Sequence, residues 1–218
     1  MTDAPADSPR LIYFADTMCS WCYGFAPEMN RVMIAVSDRI ELILQSGGLR
    51  PFGTEVLSED NKPRFKGYRD AVHTATGQPF DDAFFTRVGY VMDTEPASRA
   101  VVTMRTLNLP AAYAYMHAIQ RAYFANNADI QKAEVLSAHA EAFDVPASEF
   151  AEALQSDAMR QATIADFQMA QRFQVTGYPT LVLLKGQAAY QVGEGYAKAE
   201  AVIANIERAI AHVPATAQ

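Results

Sequence analysis

At 218 residues, half of them hydrophobic, the chain is long enough to bury a substantial core without staples, as one domain or two small ones. Its net charge of -7 argues against nucleic acid and anionic membrane as partners, and no apolar stretch approaches membrane-spanning length. The opening nine residues, Met1 to Pro9, lack the cationic start and apolar run of a signal peptide, so a cytoplasmic protein with a disordered lead is expected.

In chain order, Leu11-Ile12-Tyr13-Phe14 reads as a buried strand within about 10 to 16. A helix follows over about 19 to 36, with Phe25, Met29, Val32, Met33 and Val36 at helical spacing. Ile40 to Gln45 then gives a second strand, and the helical crossover makes the pair parallel. Gly47-Gly48 and Pro51-Phe52-Gly53 break the pattern. From about 62 to 173 the pattern is helical throughout, with Met116, Ile119 and Tyr123 on one face and Asp157 placed to cap a helix ending near Phe173. Strands return at Thr180 to Leu184 and, past the Lys185-Gly186 turn, at Tyr190 to Val192. Val202, Ile203, Ile206 and Ile210 mark the apolar side of a closing helix.

The only two cysteines, Cys19 and Cys22, stand three positions apart where the first strand hands over to a helix. Two such thiols can close on each other or both face a metal. A structural zinc site needs four ligands. There is no second cysteine pair, and His73, His117, His139 and His212 are scattered without ligand spacing, so no metal is expected. A purely structural disulfide is weaker still, because bridging so short a loop removes little unfolded-state entropy. A redox-active dithiol is therefore the leading reading, ahead of a metal site completed by a distant histidine pair. At a helix N-terminus, unpaired backbone N–H groups and the macrodipole favour a thiolate over a thiol.

Strand, CxxC at a helix start, and a later Gly177-Tyr178-Pro179-Thr180 before a β-hairpin and final helix resemble the thioredoxin fold, and the helical insertion resembles its DsbA-like branch. More narrowly, Asp16 to Phe25 resembles the FrnE-type disulfide oxidoreductases, many of them cytoplasmic. Thr94 to Ala100, Arg121 to Phe124, Asp166-Phe167 and Val175 to Thr180 extend the resemblance over nearly the whole chain. It implies an α/β architecture in which residues 1–61 and 174–218 form a thioredoxin-like domain and 62–173 an inserted helical domain.

The resemblance also implies roles. Cys19, on the exposed side, is the attacking nucleophile, and Cys22, one turn into the helix, the resolving thiol. Pro179 is the cis-proline that packs on the CxxC, presenting the backbone of Tyr178 to an extended substrate. Met18, Trp21, Gly177 and Tyr178 are the implied substrate contacts. Pro27 matches a helix-kinking proline eight positions after the first cysteine.

Two positions depart from the pattern. Tyr13 stands six residues before Cys19, where many relatives carry a buried acid, so no buried acid is expected ahead of the nucleophile. Ser20 and Trp21 occupy the CxxC interior, where DsbA has a histidine.

Other residues have plainer readings beside the functional ones. Trp21 is either exposed for peptide binding or packed over the CxxC. Tyr178 is a substrate contact or a core filler, and Met18 is more simply packing. Asp16 is read as a turn or cap residue, with assistance to Cys22 as the alternative. Glu95 and Arg99, four apart, are read as a surface ion pair.

These residues point to a thiol-disulfide oxidoreductase or isomerase acting on disulfide-containing or unfolded protein clients. Glutathione or a thioredoxin system is the expected electron partner, and no cofactor is expected. One alternative is an enzyme of the kappa-class glutathione transferase or 2-hydroxychromene-2-carboxylate isomerase type, whose members generally put a serine where Cys19 stands. The other is a non-catalytic peptide-binding adaptor or holdase. Without a histidine in the CxxC, a reducing rather than strongly oxidising pair is expected.

Overall fold

The first strand, β1 (Arg10–Ala15), is buried from Leu11 onward, with alternate side chains serving opposite faces. Leu11 and Tyr13 enter the main core, whereas Ile12 and Phe14 pack with Val182 and Ala170 on the far side. An apolar strand of this kind fits the centre of a sheet covered on both faces. β1 pairs parallel with β2 (Glu41–Ser46) and antiparallel with β3 (Thr180–Lys185), which pairs antiparallel with β4 (Ala188–Glu194). The sheet order is β2-β1-β3-β4. This is a computed structural model, and it describes residues 8–212. The disordered lead expected at the N-terminus lies, for residues 1–7, outside the described residues.

Between β1 and β2 runs α1 (Ser20–Val36), and α8 (Ala199–Ala211) packs beside it. Burial of Phe25, Met29 and Val32 on α1 contributes about 1.5–3 kcal/mol per side chain. Pro27 lies inside α1 on its exposed face. Gly24 is needed for close approach, since a Cβ there would come within 2.5 Å of Val72 on α2 (Lys62–Thr76).

The remaining helices are α3 (Glu95–Leu107), α4 (Ala112–Ala125), α5 (Ala133–Ala140), α6 (Ala147–Gln155) and α7 (Asp157–Arg172), with short 3-10 turns between α3 and α4 and between α5 and α6. The strandless stretch holds one isolated antiparallel bridge, Val56 to Val91. α7 contacts β2 and α3. Its Ala170 reaches the second face of the sheet, where Phe173 packs as well. One continuous core joins residues of β1 and α1 to those of α3, α4, α5 and α6. No helix among the described residues is long and apolar enough to cross a membrane.

Two local expectations are corrected. The cap of α7 is Ser156, whose hydroxyl accepts the Met159 N–H, and Asp157 is the first helical residue. Glu95 and Arg99 do meet, at 3.1 Å, but with their side chains 7 % and 14 % exposed they form a buried pair rather than a surface one. Helical i,i+4 spacing brings such residues together whichever way the face points.

Candidate active site

The turn from β1 into α1 is shaped by Asp16. Its carboxylate accepts the Met18 N–H at 2.8 Å and the Leu49 N–H at 2.7 Å, and its carbonyl accepts the Cys19 N–H at 3.2 Å. Cys19 is thereby set at the N-cap of α1 in an extended conformation, and no acidic residue lies in the helix's first turn. The Cys19 thiol donates to the Tyr178 carbonyl at 3.4 Å. Cys22, one turn on, is fully buried and its sulfur accepts the Asp16 N–H at 3.5 Å. Both cysteines are free thiols.

Tyr178 reaches Cys19 from the other half of the chain. Its hydroxyl donates to the Gly47 carbonyl at 2.5 Å, and its ring lies where a Cβ on Gly47 would be. The Gly47 N–H donates in turn to the Ala15 carbonyl at 2.7 Å, which ties the loop after β2 to the end of β1. The Tyr178–Pro179 bond is cis, as the resemblance implies. The Pro179 carbonyl accepts the Gly195 N–H at 2.8 Å and the Gly177 carbonyl accepts the Thr180 hydroxyl at 2.8 Å.

A pocket of about 320 Å³ opens beside Cys19. Met18, Cys19, Trp21 and Tyr178 all line it, whereas Cys22, Gly177 and Pro179 do not. The expectation of an exposed nucleophile is corrected, because Cys19 is 7 % exposed and stands in the wall of this recess. Trp21 is half-buried, with its ring 5.9 Å from that of Tyr196 between centroids, and it lines the pocket. Sequence reasoning missed Arg50 and Arg69, which also line the pocket. For Arg69 a signal existed, since it sits between Phe65 and Val72 on the apolar side of α2.

Burial pushes the Cys22 thiol up, and the neighbouring Cys19 and Asp16 charges add to that. Burial also raises the Tyr13 hydroxyl, which has no hydrogen-bond partner among the described residues. Tyr178 is pushed up to about 12, chiefly by burial.

The expectation that no buried acid precedes the nucleophile fails at Asp16. That residue is 1 % exposed, and burial lifts its carboxyl from 3.8 to about 6 against the opposing pull of the Leu49 and Met18 N–H groups. An acid raised in the folded state stabilises the fold at low pH, and that contribution is lost as pH climbs through the folded value. Stability referable to Asp16 should therefore fall by about 3 kcal/mol between about pH 4 and pH 6. Urea midpoints of wild type and Asp16→Asn, compared across that range, isolate the effect because asparagine does not titrate. Parallel curves would rule the shift out.

The profile of the DSBA-like thioredoxin domain matches residues 10–200 of the chain. The chain belongs to the DSBA-like thioredoxin domain family. Its fold is the DsbA-like thioredoxin fold with a helical insertion that the sequence led us to expect. A candidate protein disulfide isomerase from Nitrosomonas europaea is 31% identical and superposes with a TM-score of 0.87, over 93% of this chain and 98% of that one. The cytosolic disulfide reductase DsbM from Pseudomonas aeruginosa, at 22% identity, superposes with a TM-score of 0.76 over 92% of this chain and 98% of that one. The same Pseudomonas protein solved with GSH gives 23% identity and a TM-score of 0.75 over the same shares. No curated protein matches the chain in sequence.

Proposed function

We propose that the chain is a FrnE-type thiol-disulfide oxidoreductase that reduces or reshuffles protein disulfides through Cys19 and Cys22. The observation that carries this reading is the placement of both sulfurs. Cys19 stands at a helix N-terminus, against the Tyr178 carbonyl and open to a pocket, with Cys22 buried one turn behind it.

Exchange then runs by two substitutions at sulfur. The Cys19 thiolate attacks one sulfur of a client disulfide, forming a mixed disulfide and releasing the other client sulfur as a thiolate, which is protonated. Cys22 loses its proton and attacks Cys19 Sγ, which breaks the mixed disulfide and frees the second client thiol. The client gains two electrons, and the protein is left with a Cys19–Cys22 disulfide. Two equivalents of a thiol such as glutathione, or a thioredoxin system, restore the dithiol.

In this reading Tyr178 and Pro179 border the client, with Met18, Trp21 and Gly177 alongside, and the helices of residues 62–173 form the far wall of the pocket. A kappa-class transferase would use the same recess but would leave Cys22 without a task, and an adaptor would need neither sulfur. Insulin reduction and reactivation of scrambled ribonuclease test the proposal; turnover of neither, with conjugation of glutathione to an electrophile instead, would favour the transferase.

The direction is also testable. Cytosolic glutathione is poised at about -220 to -320 mV depending on method, so a cytoplasmic pair of thioredoxin-like potential is held mainly as dithiol. Trapping thiols in intact cells with an alkylating agent should find Cys19 and Cys22 mostly reduced. A largely oxidised pair in unstressed cells would overturn the reductive direction.

A further inference from the structure

The pocket beside Cys19 has an unusual charge balance for a protein of net charge -7. Two arginines, Arg50 and Arg69, line it, and no acidic residue does. Among the described residues neither arginine forms an ion pair with a carboxylate. Asp82, the acid whose charge Arg69 feels, pairs with Lys66 at 3.2 Å.

Arg69 is 4 % exposed, so its charge is held largely out of water. Its guanidinium lies 4.0 Å from the ring centroid of Phe84 and 5.3 Å from that of Phe124, and one N–H donates to the Asp81 carbonyl at 3.3 Å. Rings and a carbonyl attract a cation but do not neutralise it. A full positive charge therefore remains at the pocket wall, where an uncompensated buried ion is costly unless something anionic arrives.

Arg50 is held on a loop with little freedom. The Leu49 N–H is taken by Asp16, the Arg50 N–H donates to the Thr94 hydroxyl at 3.1 Å, and the Arg50 carbonyl accepts the Thr94 N–H at 3.1 Å. Its side chain rests over the Phe65 ring, 5.8 Å from the centroid. Two placed guanidiniums suit a carboxylate, which they can bind through paired N–H donors.

We propose that this pocket selects small thiols that carry a carboxylate, with Arg50 and Arg69 reading the carboxylate while the thiol's sulfur exchanges with Cys19. The proposal rests on the exchange chemistry given above and specifies its small-molecule partner. A recess of about 320 Å³ is within the size range of small-ligand sites, and Cys19 sits in its wall rather than on an open face. That geometry favours a free thiol over the acidic side chain of a folded client.

The step balances as follows. A small thiolate attacks Cys19 Sγ of the oxidised pair, and Cys22 leaves as a thiolate and takes up a proton. A second thiolate attacks the small-molecule sulfur of that adduct, releasing the symmetrical disulfide and the Cys19 thiolate. Two thiols are oxidised and one protein disulfide is reduced.

Trp21 is the only tryptophan and lines the pocket, so its fluorescence can follow reduction of the oxidised protein in stopped flow. The reductants are glutathione, glutathione diethyl ester, which keeps the thiol but loses both carboxylates, and β-mercaptoethanol. Glutathione should outpace its diester by about tenfold at low salt, and the ratio should shrink as ionic strength rises. In Arg50→Gln and in Arg69→Gln the glutathione-to-diester ratio should fall toward one, and Arg69→Lys should retain part of it. A wild-type ratio near one, or a ratio unchanged in Arg50→Gln and Arg69→Gln alike, overturns the proposal while reaction with β-mercaptoethanol leaves the exchange chemistry standing. Failure of all three thiols to react removes both. A preference for glutamate over glutamine beside the cysteine of a peptide, with none for free glutathione, would assign the arginines to client side chains and so overturn the small-thiol assignment.

Discussion

Cys19→Ser is expected to abolish thiol exchange, with loss of about a thousandfold or more, while Cys22→Ser accumulates mixed disulfides. The asymmetry follows from burial. Cys22 is 0 % exposed and lies outside the pocket wall, so without Cys19 it has no route to a client disulfide. Cys19 without Cys22 still attacks, but nothing behind it can break the adduct. Burial pushes the Cys22 thiol up, which keeps it protonated until the adduct has formed and suits a resolving rather than an attacking role. Mass spectrometry of each variant after incubation with glutathione disulfide reads the result directly. Equal trapping by both variants would dissolve the division of labour between the two sulfurs.

What the sequence made legible here, and what it hid, divides along physical lines. β1, α1 and β3 declare themselves through their apolar periods, helped by Pro9 before β1 and by Pro179 and Gly186 on either side of β3. The Cys19–Cys22 pair stands out in sequence because no second cysteine pair and no histidine at ligand spacing accompanies it. Asp16 misleads because its meaning depends on the Leu49 N–H, 33 positions away, which only the folded loop delivers. The same holds for Arg69. A cation on the apolar side of α2 looks like an imperfection of pattern until Phe84 and Phe124 close around it from other parts of the chain. The order of helices between residues 62 and 173 is legible as helix and opaque as packing, since helical periodicity fixes which face is buried but not against what.

Arg105→Ala should cost about 3–5 kcal/mol of stability, a large share of the 5–15 kcal/mol of an ordinary domain. Arg105 on α3 donates to both carboxylate oxygens of Asp166 on α7, at 2.9 and 2.8 Å, and to the Leu44 carbonyl of β2 at 2.6 Å. Asp166 also accepts the Ser46 N–H at 2.9 Å. The pair thus fastens two helices to the end of β2, one residue before the Gly47 carbonyl that holds the Tyr178 hydroxyl. Even with Arg105 present, burial raises the Asp166 carboxyl above its usual range. Without Arg105 the opposing attraction is gone, the carboxyl rises further, and the native state can accommodate Asp166 best by protonating it. The deficit of Arg105→Ala should therefore shrink as pH is lowered through the acid range and be largest at neutral pH. Urea unfolding at several pH values checks both size and sign. Replacing both partners, Arg105→Met with Asp166→Leu, should cost less than Arg105→Ala alone, because it removes the buried charge together with its counter-ion. A deficit under about 1 kcal/mol, or one independent of pH, would mean that the pair is solvated in solution and does not hold β2 in place. Slower exchange by the folded fraction of Arg105→Ala would, conversely, tie this pair through Ser46, Gly47 and Tyr178 to the position of the Cys19 thiol.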